Sequence, residues 1–197
     1  MTRIIGIAAF VLAASLSSSA TSTADPAAAA PLPPDSVYQL AAQLTDQDGV
    51  AHDWASYRGK PRVVSMFYTS CQFICPLIID SDKAIERSLT PAQLQRLGFV
   101  LISIDPVRDT PKALRGVLEA RHLDPLRWSL LSPSAADVRA FAALLDIRYR
   151  VLADGDFNHT TALILLDADG RLLARTEQVG ARLDMQFLDA VRRATGG

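Results

Sequence analysis

Two short apolar runs set the architecture of this chain. "RVVSMFY" (Arg62–Tyr68) and "GFVLISID" (Gly98–Asp105) are rich in β-branched residues and bounded by turn signals, as strands buried on both faces are. Between them, Pro76 to Leu89 suits a helix. Thr90-Pro91-x-Gln93 then marks a second helix start, with Thr as cap, Pro at the first position and Gln closing a capping box. Beyond Asp105, a helix opens at Thr110-Pro111 and runs to about Arg121. "WSLL" (Trp128–Leu131) reads as a short strand, and Ser134-x-x-Asp137 opens a helix to about Leu145. "TALILLDADGRLLART" (Thr161–Thr176) reads as a hairpin around an Asp-Gly turn, and Leu183–Ala194 as a final amphipathic helix. Ahead of the first run, "VYQLAAQLTDQDG" reads as a strand ending in a turn. Early alternation and a late hairpin imply an α/β fold: a thioredoxin-like mixed sheet flanked by helices, with an inserted helix and an N-terminal β extension.

The N-terminus is of another kind. Arg3 is followed by an apolar run, Ile4–Leu16, then small polar residues, the layout of a secretory signal peptide. Cleavage is expected after Ala24, with Ala20 as the other site. The run is short for a membrane span, so an uncleaved anchor is the alternative. Residues 25–36 form a Pro/Ala-rich linker and residues 37–195 the folded domain. The formal net charge of -1, with no Lys/Arg run, excludes a nucleic-acid partner.

The chain has only two cysteines, Cys71 and Cys75, just past the first apolar strand. Export to an oxidising compartment makes two spare thiols a candidate disulfide, but so short a loop gains little stability from one. The pair therefore reads as chemical. Residues four apart share one helical face, so two sulfurs there can hold a metal or, with some adjustment, each other. A helix start favours thiolate. Two thiolates make a soft site suited to Cu(I), with zinc as competitor. Three histidines are available as further ligands. His52 reads as an exposed loop residue, and His122 as a helix C-terminal residue. His159 precedes an apolar strand and reads equally as a solvated loop residue or a third ligand. In "SIDPVRDTP" (Ser103–Pro111), Asp109 or Thr110 reads as a helix cap, and Arg108 can pair with a flanking aspartate.

"YTSCQFICP", "ISIDPVRDTP" and "NHTTALILLDADG", in that order and spacing, resemble the Sco/SenC family over roughly Val37 to Ala194; Lys60 in "RGKP" also fits. The resemblance implies a thioredoxin-like domain facing the periplasm or intermembrane space, with Cys71, Cys75 and His159 as ligands to one copper ion, Cu(I) or Cu(II); the leader makes the periplasm the expected compartment, and a monomer is expected. It implies a role in building the copper A centre of cytochrome c oxidase. The partner would be the copper A subunit of the oxidase or another periplasmic copper chaperone. Three residues or segments depart from the pattern: Asn158 stands where an acid often precedes the histidine, Gln72 replaces a common proline, and the leader looks cleavable. The Cys71–Cys75 redox pair equally supports a thiol–disulfide reductase that needs no histidine. A peroxidase, and a binding domain with an inert bridge, are further readings of the same pair.

Overall fold

The computed structural model describes residues 31–180 and 182–196. The expected leader and the first half of the expected linker, residues 25–30, lie outside these residues. The elements below all belong to one compact unit, Leu32–Gly197.

Among the described residues, nine strands and five α-helices follow one another: β1 (Gln43–Asp46), β2 (Ala51–Asp53), β3 (Arg62–Phe67), α1 (Ile74–Arg87), α2 (Pro91–Gln95), β4 (Gly98–Ser103), α3 (Pro111–Ala120), β5 (Trp128–Pro133), α4 (Val138–Leu144), β6 (Tyr149–Val151), β7 (Phe157–His159), β8 (Leu163–Leu166), β9 (Leu172–Thr176) and α5 (Met185–Ala194). Seven strands form one mixed sheet in the order β2-β1-β5-β4-β3-β8-β9. β3, β4 and β5 run parallel, while β8 lies antiparallel to β3, and β1 to β5. This is the thioredoxin-like arrangement, with α2 as the inserted helix and the β1–β2 hairpin as the N-terminal extension. The two apolar runs become the central strands; every residue of β4 is buried, and all of β3 but Arg62. Two successive parallel steps in one direction bring α1 and α3 to the same face of the sheet. Arg121 joins them by donating to the Asp80 carboxylate and the Pro76 carbonyl, while Lys83 donates to its carbonyl.

The caps follow the sequence closely. Thr90 and Gln93 complete their reciprocal capping box. Thr110 caps α3 through the Ala113 N–H, with Pro111 next. The first expected strand is shorter than its pattern suggested. Val37–Gln39 is a 3-10 turn capped by Ser36, and the strand begins only at Gln43. Buried contacts divert the chain here, because Trp54 donates its indole N–H to the Val37 carbonyl at 2.9 Å. Strands β2, β6 and β7 were not foreseen; three residues each are too few to show a period.

The β8–β9 turn depends on Gly170 (φ +83°), whose carbonyl accepts the Val37 N–H at 2.9 Å. A Cβ there would stand 2.5 Å from the buried Tyr38 ring and 2.8 Å from Ser36 Oγ. Gly170→Ala combines a left-handed backbone with a clash against a packed aromatic. It is expected to cost roughly 2–4 kcal/mol in urea unfolding, whereas Gly116→Ala, which meets open space on α3, is expected to be neutral or mildly stabilising.

Candidate metal centre

β3 delivers the chain to the carboxyl edge of the sheet, where sites form in open α/β folds. The chain turns at Tyr68–Ser70, and the Cys71 N–H donates to the Tyr68 carbonyl at 3.3 Å. α1 begins at Ile74, two residues ahead of the expected start at Pro76, which makes Cys75 its second residue. Pro76 is tolerated because N–H groups in the first turn have no intrahelical acceptor. Both thiols are free and buried. The Cys75 N–H donates to Cys71 Sγ at 3.3 Å.

The two sulfurs share their protons unequally. Cys71 is held down at about 5, first by the Cys75 thiol, then by the backbone N–H groups of Cys75, Phe73 and Ile74, with burial opposing. Cys75 is pushed up by the same sulfur–sulfur contact and by its own burial. A proton held between them thus belongs to Cys75, and Cys71 carries the negative charge at the helix start.

A buried carboxylate holds the thiol loop. Asp109 is fully buried and accepts from the Thr69 N–H at 3.0 Å, Thr69 Oγ1 at 2.6 Å and Ser103 Oγ at 2.6 Å. Burial raises its pKa, against the pull of those donors. With Thr110 as the cap, Asp109 ties β4 to the segment that carries Cys71. Arg108 pairs with Asp105, one of the two aspartates that flank it.

His159 stands on β7 rather than in a loop, opposite Tyr149 of β6. The two strands form a separate ribbon. Nδ1 lies 3.0 Å from the Thr160 carbonyl, which selects the tautomer with the proton on Nδ1. Nε2 is buried and has no partner, leaving a lone pair unused. Tyr68 touches both this ribbon and Cys71 of the thiol pair. It meets the His159 ring edge-on at 5.9 Å and the Phe157 ring at 5.3 Å, and its hydroxyl donates to the Phe157 carbonyl at 3.3 Å. Burial, then Asp156 and Cys71, push the Tyr68 pKa upward.

The structure therefore brings Cys71 and Cys75 together, while His159 meets Tyr68, the residue that also interacts with Cys71. Among the described residues, no group of three or more His, Cys, Asp or Glu stands ready to hold a metal. The donor set nonetheless suits a soft ion: one thiolate, one thiol and an imidazole with a free Nε2. His52 is half-buried on β2, with Nε2 2.7 Å from Asp46 Oδ2, and is not the exposed loop residue expected. His122 follows α3 at φ +52°. Lys60 precedes β3, at the opposite end of the strand from Cys71. An apolar cleft of about 380 Å³ opens beside the thiols, lined by Phe67, Cys75 and Ile79 on one side and Ala113, Gly116 and Val117 of α3 on the other. Phe73, between the cysteines, is 85% exposed. The sequence had pointed neither to Tyr68, which reads as a strand residue, nor to Asp109 as a loop anchor.

Comparison with known proteins agrees with this picture. The SCO1/SenC family model matches residues 35–193. A SCO2-like protein of Rickettsia conorii is 29% identical over 137 residues, covering 66% of this chain and 65% of its own. The chain thus spans just under two thirds of that relative's length. The structure of Bradyrhizobium japonicum ScoI with copper bound superposes with a TM-score of 0.61 at 28% identity, covering 78% of this chain and 96% of that one. BsSco, described as a member of the Sco family of cytochrome c oxidase assembly proteins and as having a disulfide switch, superposes with a TM-score of 0.64 at 22% identity, covering 78% and 90%. Among the described residues, no helix is long and apolar enough to cross a membrane. With the family model spanning most of its length and the same fold in solved members, the chain belongs to the SCO1/SenC family.

Proposed function

We propose that this protein is an exported, monomeric copper carrier that serves assembly of the copper A centre of cytochrome c oxidase. Residues 1–24 act as the leader, residues 25–36 as a linker, and residues 37–195 as the working domain in the periplasm. Cys71, Cys75 and His159 bind one copper ion as cargo, and oxidation of the Cys71–Cys75 pair turns binding off. The observation that carries this reading is the unpartnered, buried His159 Nε2 on a residue that contacts Tyr68, which in turn interacts with the Cys71 sulfur of the thiolate–thiol pair. A buried imidazole nitrogen without a hydrogen bond is costly unless something uses its lone pair. Copper in the ScoI structure and the disulfide switch of BsSco support the reading by relationship. The client is the copper A subunit of the oxidase or another periplasmic copper chaperone.

The chain's own groups divide the work. Soft sulfur ligands favour Cu(I). The Thr160 carbonyl fixes the His159 tautomer, so Nε2 is the nitrogen offered. Forming the Cys71–Cys75 disulfide from this thiolate–thiol pair removes two electrons and one proton. In exchange with a client disulfide, those two electrons and that proton, with a second proton from solvent, produce the client's two thiols.

The test is an anaerobic Cu(I) competition titration of the reduced mature protein against a chromophoric chelator. One equivalent is expected to bind, weakened at least about tenfold in His159→Ala, while the oxidised protein binds far less. Equal affinity in the variant would leave His159 outside the site and favour a thiol–disulfide reductase, which needs only the two cysteines. Equal binding by the oxidised protein would remove the redox gate.

A further inference from the structure

The turn between β4 and α3 is tied to both halves of the site. Asp109 and Thr110 donate their N–H groups to the carbonyls of Asp105 and Arg108, both at 2.9 Å, which closes the turn tightly. From this turn, two adjacent side chains reach in different directions. Asp109 holds the thiol loop through Thr69. Arg108 holds the histidine ribbon: its Nη2 donates to the Gly155 carbonyl, and its guanidinium lies 5.8 Å from the centre of the Phe157 ring. Its Nε is meanwhile paired with Asp105, whose side chain is only 7% exposed.

We propose that Arg108 is a positioning residue that sets the separation between His159 and the Cys71–Cys75 pair. A ribbon of three residues per strand has too few contacts to hold its own place. It is tied instead to the rest of the site by Tyr68 from the thiol loop and by Arg108 from the turn. The guanidinium suits this task because its planar fork serves a carboxylate and a carbonyl at once while its face meets an aromatic ring. Lysine, a single point charge, cannot do all three. Asp105, Arg108 and Asp109 thus act as one bracket, rigid on the thiol side and releasable on the ribbon side.

The first measurement is amide hydrogen exchange on the reduced, metal-free protein. The reporters are Leu152, whose N–H donates to the Asp156 carbonyl at 2.7 Å, and Thr160, whose N–H donates to the Arg148 carbonyl at 2.8 Å. In Arg108→Ala both are expected to exchange at least about tenfold faster, with Val64 and Val100 in the central strands unchanged. Arg108→Lys is expected to fall between. Unchanged exchange at Leu152 and Thr160 overturns the proposal. The second measurement is Cu(I) affinity, and this arm rests on His159 being a ligand. Arg108→Ala is expected to weaken binding several-fold in the parent and to add nothing in a His159→Ala background. An equal loss in both backgrounds overturns the proposal, since Arg108 would then act without the histidine. If His159→Ala alone binds copper as tightly as the parent, the copper reading falls and the exchange rates alone judge Arg108.

Discussion

Asp82→Leu is expected to stabilise the protein by roughly 2–4 kcal/mol at pH 7, raising Tm by roughly 5–15 °C. Asp82 lies on the buried face of α1 and is 1% exposed; both carboxylate oxygens lack a hydrogen-bond partner. Burial, and secondarily the Glu86 carboxylate, push its pKa well above the usual carboxylate range. The sign follows from linkage. In the unfolded chain the acid loses its proton near pH 3.9, roughly, while in the folded chain it keeps it. Below that pH the residue costs nothing by titration. As pH rises, the unfolded state gains by ionising and the folded state does not, so stability drains at about 1.4 kcal/mol per pH unit until the folded-state pKa is reached. Leucine removes both this drain and the unpaired oxygens. Asn, similar in shape and uncharged, should remove only the pH slope. The check is urea unfolding of the reduced, metal-free protein and both variants between pH 4.5 and 7.5. Parallel curves for parent and Asp82→Asn would show that the carboxylate is already ionised in the folded state.

That such a residue sits two helical turns after Cys75 bears on how the site reads from sequence. An aspartate in a helix-length segment looks like a solvated position, and only the packing of α1 on the sheet buries it. Where residue type and local pattern decide the outcome, the sequence was sufficient. The largely apolar β3 and β4, the Thr90–Gln93 capping box and the Cys71–Cys75 pair at a helix start are of this kind. Where a long-range contact decides, it was not. Val37–Gln39 is drawn out of extended geometry by Trp54. Asp109 in a cap-like position turns back to Thr69, 40 residues earlier, because Thr110 does the capping instead. His159 looks like a loop residue because its strand has three residues and a partner equally short. Tyr68 ends an apolar run like any strand residue, and its contact with both thiol and imidazole exists only once the ribbon has folded back.

Alkylation kinetics should single out Cys71, with a rate that rises with a midpoint near pH 5 and is flat from pH 6 to 9, while Cys75 stays unmodified. An ordinary thiol instead reacts about tenfold faster per pH unit until near pH 8.5, roughly. The size of the effect depends on two opposing terms. At pH 6, Cys71 is almost wholly thiolate, about 300 times the fraction in an ordinary thiol. A thiolate of so low a pKa is also a weaker nucleophile, by about 40-fold on a Brønsted slope near 0.45. The net expectation is roughly tenfold faster reaction than a free thiol at pH 6 and about equal rates at pH 7. The shape of the profile therefore carries more weight than any single rate. Because the Cys75 thiol is the first cause of the shift, Cys75→Ala should move the midpoint up by more than about one unit, leaving the N–H groups of Phe73 and Ile74 to hold part of it. Mass spectrometry locates the modified residue. Modification of Cys75 first, or a midpoint above pH 8, would reverse the assignment of charge between the sulfurs. The same low pKa makes Cys71 the sulfur present as thiolate, the attacking species in disulfide exchange. Reduction of an oxidised client would then begin with attack by Cys71, giving a client–Cys71 mixed disulfide that Cys75 resolves, and oxidation of a client dithiol would run back through the same Cys71-linked intermediate.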